Sequence, residues 1–267
     1  MTHVIAVANQ KGGVGKTTST INISAELALL GRKVLIIDLD PQCSATSGLG
    51  VEKHDQGRDM YDMFFRRIAL RELIKPTSVE NLFIAPSSRD LIGVEVELGQ
   101  TEGRELILRS ELSGITNEYD YIFFDCPPSS GLITLNAMGA SDKVLIPLQA
   151  EYYALEGLSA LLDTIEFVKN TFQPNLSVLG VFVTMFDVRT NLSAQVEDEA
   201  KKYFGALMFR ERVPRSVRLS ECPSHGIPIC RYDPGSAGAK AYHYLSLEID
   251  ARCFGKNAPR RKSGGGT

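Results

Sequence analysis

The sequence predicts an α/β fold with a mostly parallel central sheet and helices on both of its faces. Three observations support this prediction. A short apolar run at residues 3–8 leads into a glycine-rich loop and then into a helical segment. Buried strand patterns and helix patterns keep alternating along the chain, which is typical of parallel βαβ units. Acidic residues follow two of the apolar strands, at the sheet edge where open α/β folds bind ligands.

Length and composition indicate a single domain. The chain has 267 residues, of which 43% are hydrophobic, so it can bury a substantial core. We predict one domain over residues 1–254 and a disordered, basic and glycine-rich tail over residues 255–267. Five cysteines without a C-x-x-C pair disfavour a disulfide framework and a zinc site. The sequence shows no signal peptide and no apolar run of membrane-spanning length, so we expect a cytoplasmic protein without a membrane partner.

The loop at residues 9–18, NQKGGVGKTT, has the composition of a phosphate cradle. Its glycines are Gly12, Gly13 and Gly15. Glycines let the backbone turn so that its N–H groups point inward toward an anion. The anion would lie at the N-terminus of a helix that starts at Lys16 and stops near Gly31. Lys16 could then reach the β- and γ-phosphates, and the Thr17 hydroxyl could ligate Mg²⁺.

The residues of this loop leave two other interpretations open. The run at residues 13–18 is one residue short of a dinucleotide fingerprint, and Asp38 lies near the distance at which that motif places an acid. A glycine-rich turn that binds no ligand is the second alternative. The adjacent Lys16 and Thr17, together with an acidic strand end later in the chain, favour a nucleoside triphosphate.

Two further strands end in acids. The strand at residues 34–37 is followed by Asp38 and Asp40, which are well placed for a metal ion and water at the carboxyl edge of the sheet. A solvated turn ending in Asp-Pro is the alternative for this segment. The strand at residues 121–125 ends in Asp125, the position from which P-loop enzymes usually hold Mg²⁺.

Apolar periodicity predicts the remaining elements. Strands are expected at residues 82–86, 144–148 and 177–186. Helices are expected at residues 59–65, 88–98, 104–112, 155–172, 191–204 and 242–254. Nothing in residues 43–120 points to a chemical role.

The segment at residues 201–240 differs from the rest of the chain in charge. It carries eight lysines and arginines against three acids, whereas the net charge of the whole chain is −3. A cation-rich segment in an acidic protein is a candidate surface for the phosphate backbone of a nucleic acid. Composition alone favours the alternative of an ordinary solvated face.

Several motifs resemble those of the chromosomal ParA/Soj proteins, which are P-loop NTPases with a deviant Walker A box. In KGGVGKTT at residues 11–18 the early lysine, Lys11, is typical of that box, and Gln10 stands where the standard pattern has glycine. The resemblance extends over about residues 5–245. The other matching motifs are LIIDLDPQ at 35–42, ATSGLG at 45–50, YIFFDCPPS at 121–129, PLQAEYYALEGLS at 147–159, TMFDVRTNLS at 184–193 and VPRSVRLSECPSHGIPI at 213–229.

This resemblance implies a DNA-segregation ATPase that uses ATP and Mg²⁺. Lys16 would hold the phosphates, Lys11 would reach the partner's nucleotide across an ATP-sandwiched homodimer, and Asp40 would position the attacking water. The implied metal site consists of Thr17, Asp38 and Asp125. The implied nucleotide contacts, with Met185 and Pro214 beside the adenine, are Lys11, Gly12, Gly13, Val14, Gly15, Lys16, Thr17, Thr18, Met185, Pro214 and Ser216.

The resemblance also implies partners. The ATP-bound dimer would bind double-stranded DNA without sequence preference through Arg189 and Arg218. We add Arg215, which lies with Arg218 in the cation-rich segment at residues 201–240. A ParB-like centromere-binding protein would stimulate hydrolysis and release the DNA, which would place the protein at the nucleoid.

Two departures from the family pattern lie near functional loops. Residues 43–44 are Cys-Ser where the family commonly has Gly-Asn, and Cys222 stands where it has alanine, so the sequence leaves the hydrolysis rate and the response to a partner open. Two alternatives to a segregation ATPase remain: a MinD-like regulator that cycles on membranes, and a metabolic ATP-dependent enzyme of the same fold such as dethiobiotin synthetase.

Overall fold

A computed structural model describes residues 1–52, 59–151 and 156–255 of the chain. Within these residues one sheet contains seven strands in the order β3-β4-β2-β5-β1-β6-β7. The strands are β1 (His3–Val7), β2 (Val34–Asp38), β3 (Lys75–Pro76), β4 (Leu82–Ala85), β5 (Tyr121–Asp125), β6 (Lys143–Gln149) and β7 (Ser177–Thr184). All neighbouring strands are parallel except the edge pair β3 and β4. The predicted fold class is therefore confirmed.

Helices cover both faces of this sheet. Their bounds are α1 (Lys16–Leu29), α2 (Ser44–Gly48), α3 (Met60–Phe64), α4 (Leu70–Leu73), α5 (Val94–Glu97), α6 (Ile107–Leu112), α7 (Leu132–Gly139), α8 (Glu156–Thr171), α9 (Asn191–Phe204), α10 (Val217–Glu221), α11 (Ile229–Tyr232) and α12 (Ala237–Phe254). Short 3₁₀ turns lead into α5 and α6 and follow α9 and α10.

The two faces of the sheet bury separate apolar cores. Successive residues of a strand point to opposite faces, so Val4 and Ala6 pack with α3 to α9 while Ile5 and Val7 pack with α1 and α12. The α1–α12 face also holds a buried ion pair in which Arg32 Nε donates to Asp250 Oδ1 at 2.8 Å. The final helix is thus fixed against the helix that follows the glycine-rich loop.

The register of the central strands positions the acids. β2 and β5 are parallel neighbours, and Asp38 lies directly opposite Asp125 at their carboxyl ends. β1 lies on the other side of β5 and delivers the glycine-rich loop to the same edge. The sheet therefore gathers the loop and both acids in one place, as the sequence predicted.

Several predicted boundaries differ from those in the structure. The predicted strand at residues 177–186 ends at Thr184, because Met185 has a φ of +51° and cannot continue an extended strand. The final helix starts at Ala237, five residues earlier than predicted, after Ser236 caps it by accepting a hydrogen bond from the Ala239 amide. The predicted tail at residues 255–267 lies, apart from Gly255, outside the described residues.

Candidate functional site

Two hydrogen bonds of Asn9 fix the start of the glycine-rich loop between β1 and α1. Asn9 is buried; its Nδ2 donates to the Pro147 carbonyl at 2.8 Å, and its Oδ1 accepts from the Lys11 amide at 3.0 Å. Gly13 and Gly15 have φ values of +75° and +86°, a region that side chains disfavour, so these two positions require glycine. The loop backbone consequently curls around a cavity at the N-terminus of α1.

Lys16 is the first residue of α1 and is only 6% exposed. Its ammonium donates to the Lys11 carbonyl at 3.1 Å, across the loop, and it lines a cavity of about 360 Å³ together with Gly12, Thr17 and Asp40. Burial lowers the pKa of Lys16, and the nearby Asp125 carboxylate opposes this shift. A buried lysine at the N-terminus of a helix is a strong site for a phosphate.

Asp125, which lies near this lysine, and Asp38, which lies opposite Asp125 on the neighbouring strand, have no solvent exposure. Thr17 Oγ1 donates to Asp125 Oδ2 at 2.7 Å, and Thr20 Oγ1 donates to Asp125 Oδ1 at 3.1 Å. Burial raises the pKa of Asp38 to about 6, and burial with the Asp38 charge raises the pKa of Asp125 to about 8. Two adjacent buried acids disfavour their ionised forms unless a cation neutralises them. Together with the Thr17 hydroxyl they offer the hard oxygen ligands that Mg²⁺ prefers, so these residues fit that ion.

Asp40 lies at the rim of the same cavity and is partly exposed. Its amide donates to Asp38 Oδ1 at 3.2 Å, and its own Oδ1 accepts from the Gln42 amide at 2.8 Å. A carboxylate that stays in contact with solvent beside a phosphate site is well placed to orient a water molecule.

Three of the residues implied as nucleotide contacts come together beside the loop, including the two implied to flank the adenine. Met185, Pro214 and Ser216 line a second cavity of about 520 Å³, which also includes Gly15 and Thr18 of the loop. The connection is built by the backbone: a β-bridge joins residues 186 and 214, and the amide of residue 215 donates to the carbonyl of residue 186 at 3.0 Å. A nucleotide whose phosphates occupy the loop would therefore place its base in this second cavity.

Lys11 differs from Lys16 in its environment. Its side chain is 34% exposed, and its ammonium pairs with Glu151 Oε2 at 2.7 Å. Only its backbone contributes to the loop, through the contacts with Asn9 and Lys16. The side chain is thus partly exposed beside the phosphate cavity and is paired with Glu151.

The predicted arginines are exposed, and two of them are paired with acids. Arg189 makes a two-pronged contact with Asp187 at 2.9 and 2.7 Å, and this contact holds the pKa of Asp187 well below its usual range. Arg215 adds to that effect and therefore lies near Asp187. Arg218 pairs with Glu221 at 3.1 Å and with Asp233 at 3.6 Å.

Sequence reasoning missed some residues that contact the predicted acids. Thr20 could have been found, because it lies one helical turn after Lys16 and so faces the same side of α1. Thr46 lies in the matching motif at residues 45–50 and Ser87 in none, but no local pattern indicates their contacts with Asp38 and Asp40, since nothing in the sequence shows that their loops meet.

A glycine-rich loop followed by Lys-Thr, with buried aspartates at the ends of β5 and of the next strand, β2, defines a P-loop nucleoside triphosphatase. Comparison with known proteins gives the family. A model described as "AAA domain" matches residues 2–178. The sporulation initiation inhibitor protein Soj of Bacillus subtilis is 51% identical over 94% of this chain and 99% of its own length. The chromosome partitioning protein ParA of Myxococcus xanthus is 48% identical over 97% of this chain and 92% of its own.

The chain therefore belongs to the Soj/ParA family of chromosome-partitioning ATPases. A solved structure agrees in fold: cobyrinic acid a,c-diamide synthase from Mycobacterium smegmatis, with a bound ATP analogue and magnesium, has a TM-score of 0.85 and 32% identity over 97% of this chain and 99% of that one. These findings confirm the predicted family, fold and ATPase class. Among the described residues, no helix is both long and apolar enough to span a bilayer.

Proposed function

We propose that this protein segregates DNA by an ATP-driven cycle of dimerisation. ATP binds with its phosphates in the loop at residues 9–18, and Mg²⁺ is held by Thr17, Asp38 and Asp125. When bound, the metal neutralises the buried acids and the charge of the phosphates. Lys16 holds the transferring phosphoryl group, and Asp40 orients the attacking water from the rim of the cavity.

The observation that carries this proposal is the contrast between the two lysines of one loop. Lys16 is buried toward the phosphate cavity of its own subunit, whereas the Lys11 side chain is exposed and bonded only to Glu151 among the residues described. Because the Lys11 ammonium does not face its own phosphate site, it can exchange this partly exposed ion pair for a phosphate of a second subunit. We infer that two ATP-bound subunits close face to face, so that each Lys11 adds positive charge at the partner's nucleotide.

Dimerisation then controls the DNA contact. Each subunit presents Arg189, Arg215 and Arg218, so a dimer offers six cations to the phosphate backbone. Affinity for duplex DNA rises steeply with the number of phosphates neutralised, and a single subunit with half the contacts binds far more weakly. Hydrolysis, stimulated by a ParB-like partner, separates the subunits and releases the DNA. This cycle places the ATP-bound protein at the nucleoid.

The test is binding to a duplex of arbitrary sequence across a salt series, with ATP, ADP or no nucleotide. We expect binding only with ATP and Mg²⁺, with a logarithmic salt slope of roughly −5 for six phosphate contacts. Binding of equal strength in all three nucleotide conditions would contradict the proposed cycle.

The same samples discriminate the alternatives. A MinD-like regulator would sediment with anionic vesicles in the presence of ATP and show no nucleotide-dependent DNA binding. A metabolic enzyme of this fold would transfer phosphate to a small acceptor, or activate one, without DNA or a protein partner. The 51% identity to Soj over nearly the whole chain favours DNA segregation over both.

A further inference from the structure

Two hydroxyl residues, Thr46 and Ser87, to which the sequence assigns no chemical role, hold the acidic loop that follows β2. Thr46 lies in α2 and is fully buried. Its Oγ1 donates to Asp38 Oδ2 at 2.7 Å, and its amide donates to the same oxygen at 2.8 Å. With the Asp40 amide on Oδ1, three donors fix the Asp38 carboxylate in one orientation.

Ser87 approaches the same loop from the neighbouring strand. It follows the end of β4, is fully buried, and donates from its amide to Thr46 Oγ1 at 3.1 Å. Its own hydroxyl donates to the Asp40 carbonyl at 2.8 Å. Ser87 thus contacts the Asp40 backbone directly, and it reaches Asp38 indirectly through the Thr46 hydroxyl.

We propose that Thr46 and Ser87 are positioning residues for the ATPase reaction, Thr46 by orienting Asp38 toward Mg²⁺ and Ser87 by fixing the backbone of Asp40 where the attacking water binds. A carboxylate that accepts bonds from fixed donors keeps its remaining lone pairs aimed in one direction, and such outer contacts commonly matter 10- to 100-fold for metal affinity, roughly. This inference rests on the proposed roles of Asp38 and Asp40.

The chain offers a matched control for each residue. Ser88 Oγ and Thr134 Oγ1 are buried hydroxyls without a hydrogen-bond partner among the described residues, and they are 8% and 2% exposed, respectively, as residues. Ser88→Ala and Thr134→Val therefore make the same chemical changes as Ser87→Ala and Thr46→Val, without removing a bond to the acidic loop.

The first experiment titrates MgCl₂ at fixed ADP and follows the midpoint of thermal unfolding, so it needs no turnover. Thr46→Val should raise the Mg²⁺ concentration for half-maximal stabilisation about tenfold. Thr46→Ser, which restores the hydroxyl, should recover the wild-type value. A Thr46→Val titration that matches Thr134→Val, or a Thr46→Ser protein as impaired as Thr46→Val, would overturn the role of Thr46.

The second experiment measures steady-state ATP hydrolysis. Ser87→Ala keeps the amide bond to Thr46 and removes only the bond to the Asp40 carbonyl, so kcat should fall about tenfold with KM and the Mg²⁺ requirement unchanged. Equal kcat in Ser87→Ala and Ser88→Ala would overturn the role of Ser87. If Thr46→Val is too unstable to purify, the Ser87 and Ser88 variants carry the test by themselves.

Asp40→Ala is measured in the same assay to separate the role of Asp40 itself from the role of Ser87 in positioning it. Full hydrolysis by Asp40→Ala would refute the proposed role of Asp40 itself. Loss of hydrolysis in Asp40→Ala, combined with a Ser87→Ala protein that behaves as Ser88→Ala does, would leave the proposed function intact and refute the positioning inference alone.

Discussion

Replacing Asp125 with asparagine should stabilise the protein in the absence of nucleotide. Burial and the neighbouring Asp38 raise the pKa of Asp125 from 3.8 to about 8, so in the folded state its charged form is disfavoured. The pKa of Asp125 is higher in the folded state than in the unfolded state, so the protonated group does not destabilise the fold below pH 3.8. Above that pH the unfolded chain ionises first, and the protein loses stability as the pH rises through about 8. Asp125→Asn removes a group that opposes folding at neutral pH.

The pKa shift of Asp125 sets how much stability the substitution can add. Between pH 3.8 and pH 7 the penalty could reach about 4 kcal/mol, at roughly 1.36 kcal/mol per pH unit. Asp38 and Asp125 titrate as a coupled pair, so the penalty belongs to both acids. We therefore expect the single substitution to recover about half of it, roughly 2 kcal/mol of unfolding free energy. For a chain of this size that corresponds to a rise in Tm of about 4–8 °C.

The assay is thermal unfolding of the nucleotide-free wild type and Asp125→Asn from pH 5 to pH 8. The advantage of the variant should grow as the pH rises, and Mg²⁺ with ADP should stabilise the wild type much more than the variant. Asp187→Asn is the control, because Asp187 is a partly exposed acid whose pKa is lowered by Arg189, so its loss should give no such gain. An Asp125→Asn protein less stable than the wild type at pH 8 would refute the reasoning.

Three further predictions follow from the site and its surroundings. Lys16→Ala should abolish nucleotide binding measured with a fluorescent ATP analogue, and unchanged affinity would refute its role as the phosphate lysine. Arg218→Ala should keep ATP-driven dimers while reducing the salt slope of DNA binding by roughly two, one contact per subunit; an unchanged slope would exclude it from the interface. Gly226→Ala should destabilise the fold by about 2 kcal/mol or more, because φ is +65° and the new Cβ would lie 2.7 Å from the Gly50 Cα. Gly103→Ala has the same strain with open space around it and should cost about 1 kcal/mol, so equal losses in denaturant unfolding would contradict the role of the contact.

Local patterns were enough to predict the centre of the sheet. β1, β2 and β5 are short apolar runs that end in a glycine-rich loop or an acid, and parallel topology brings such ends to one edge of a sheet. The approach of Asp38 to Asp125 and to the loop was therefore predictable.

The parts that could not be predicted depend on contacts between distant segments. The edge strand β3 has two residues and one of them is proline, so no periodicity marks it. α2 has five residues and starts after Cys43, whose φ is +54°, which propensity does not reveal. Thr46 lies in α2 and Ser87 in the loop that follows β4, and the contacts of these residues with Asp38 and Asp40 form only when the two segments meet in the folded chain.

The pairing of the arginines was also beyond the sequence. The cation-rich segment is visible in composition, but the partners of its charges are not, and Arg218 turns out to lie against Glu221 and Asp233. Exposed pairs of this kind contribute little to stability, so phosphate groups can replace the carboxylates at small cost.

In the proposed cycle, Mg²⁺ and ATP join two copies of this chain through Lys11. The most direct measurement is the solution mass of Asp40→Ala by sedimentation under saturating ATP and Mg²⁺, since this variant should retain ATP. We expect twice the 29.3 kDa of one chain, falling to 29.3 kDa when Lys11→Ala is added. A mass of 29.3 kDa for Asp40→Ala with ATP bound would contradict the account.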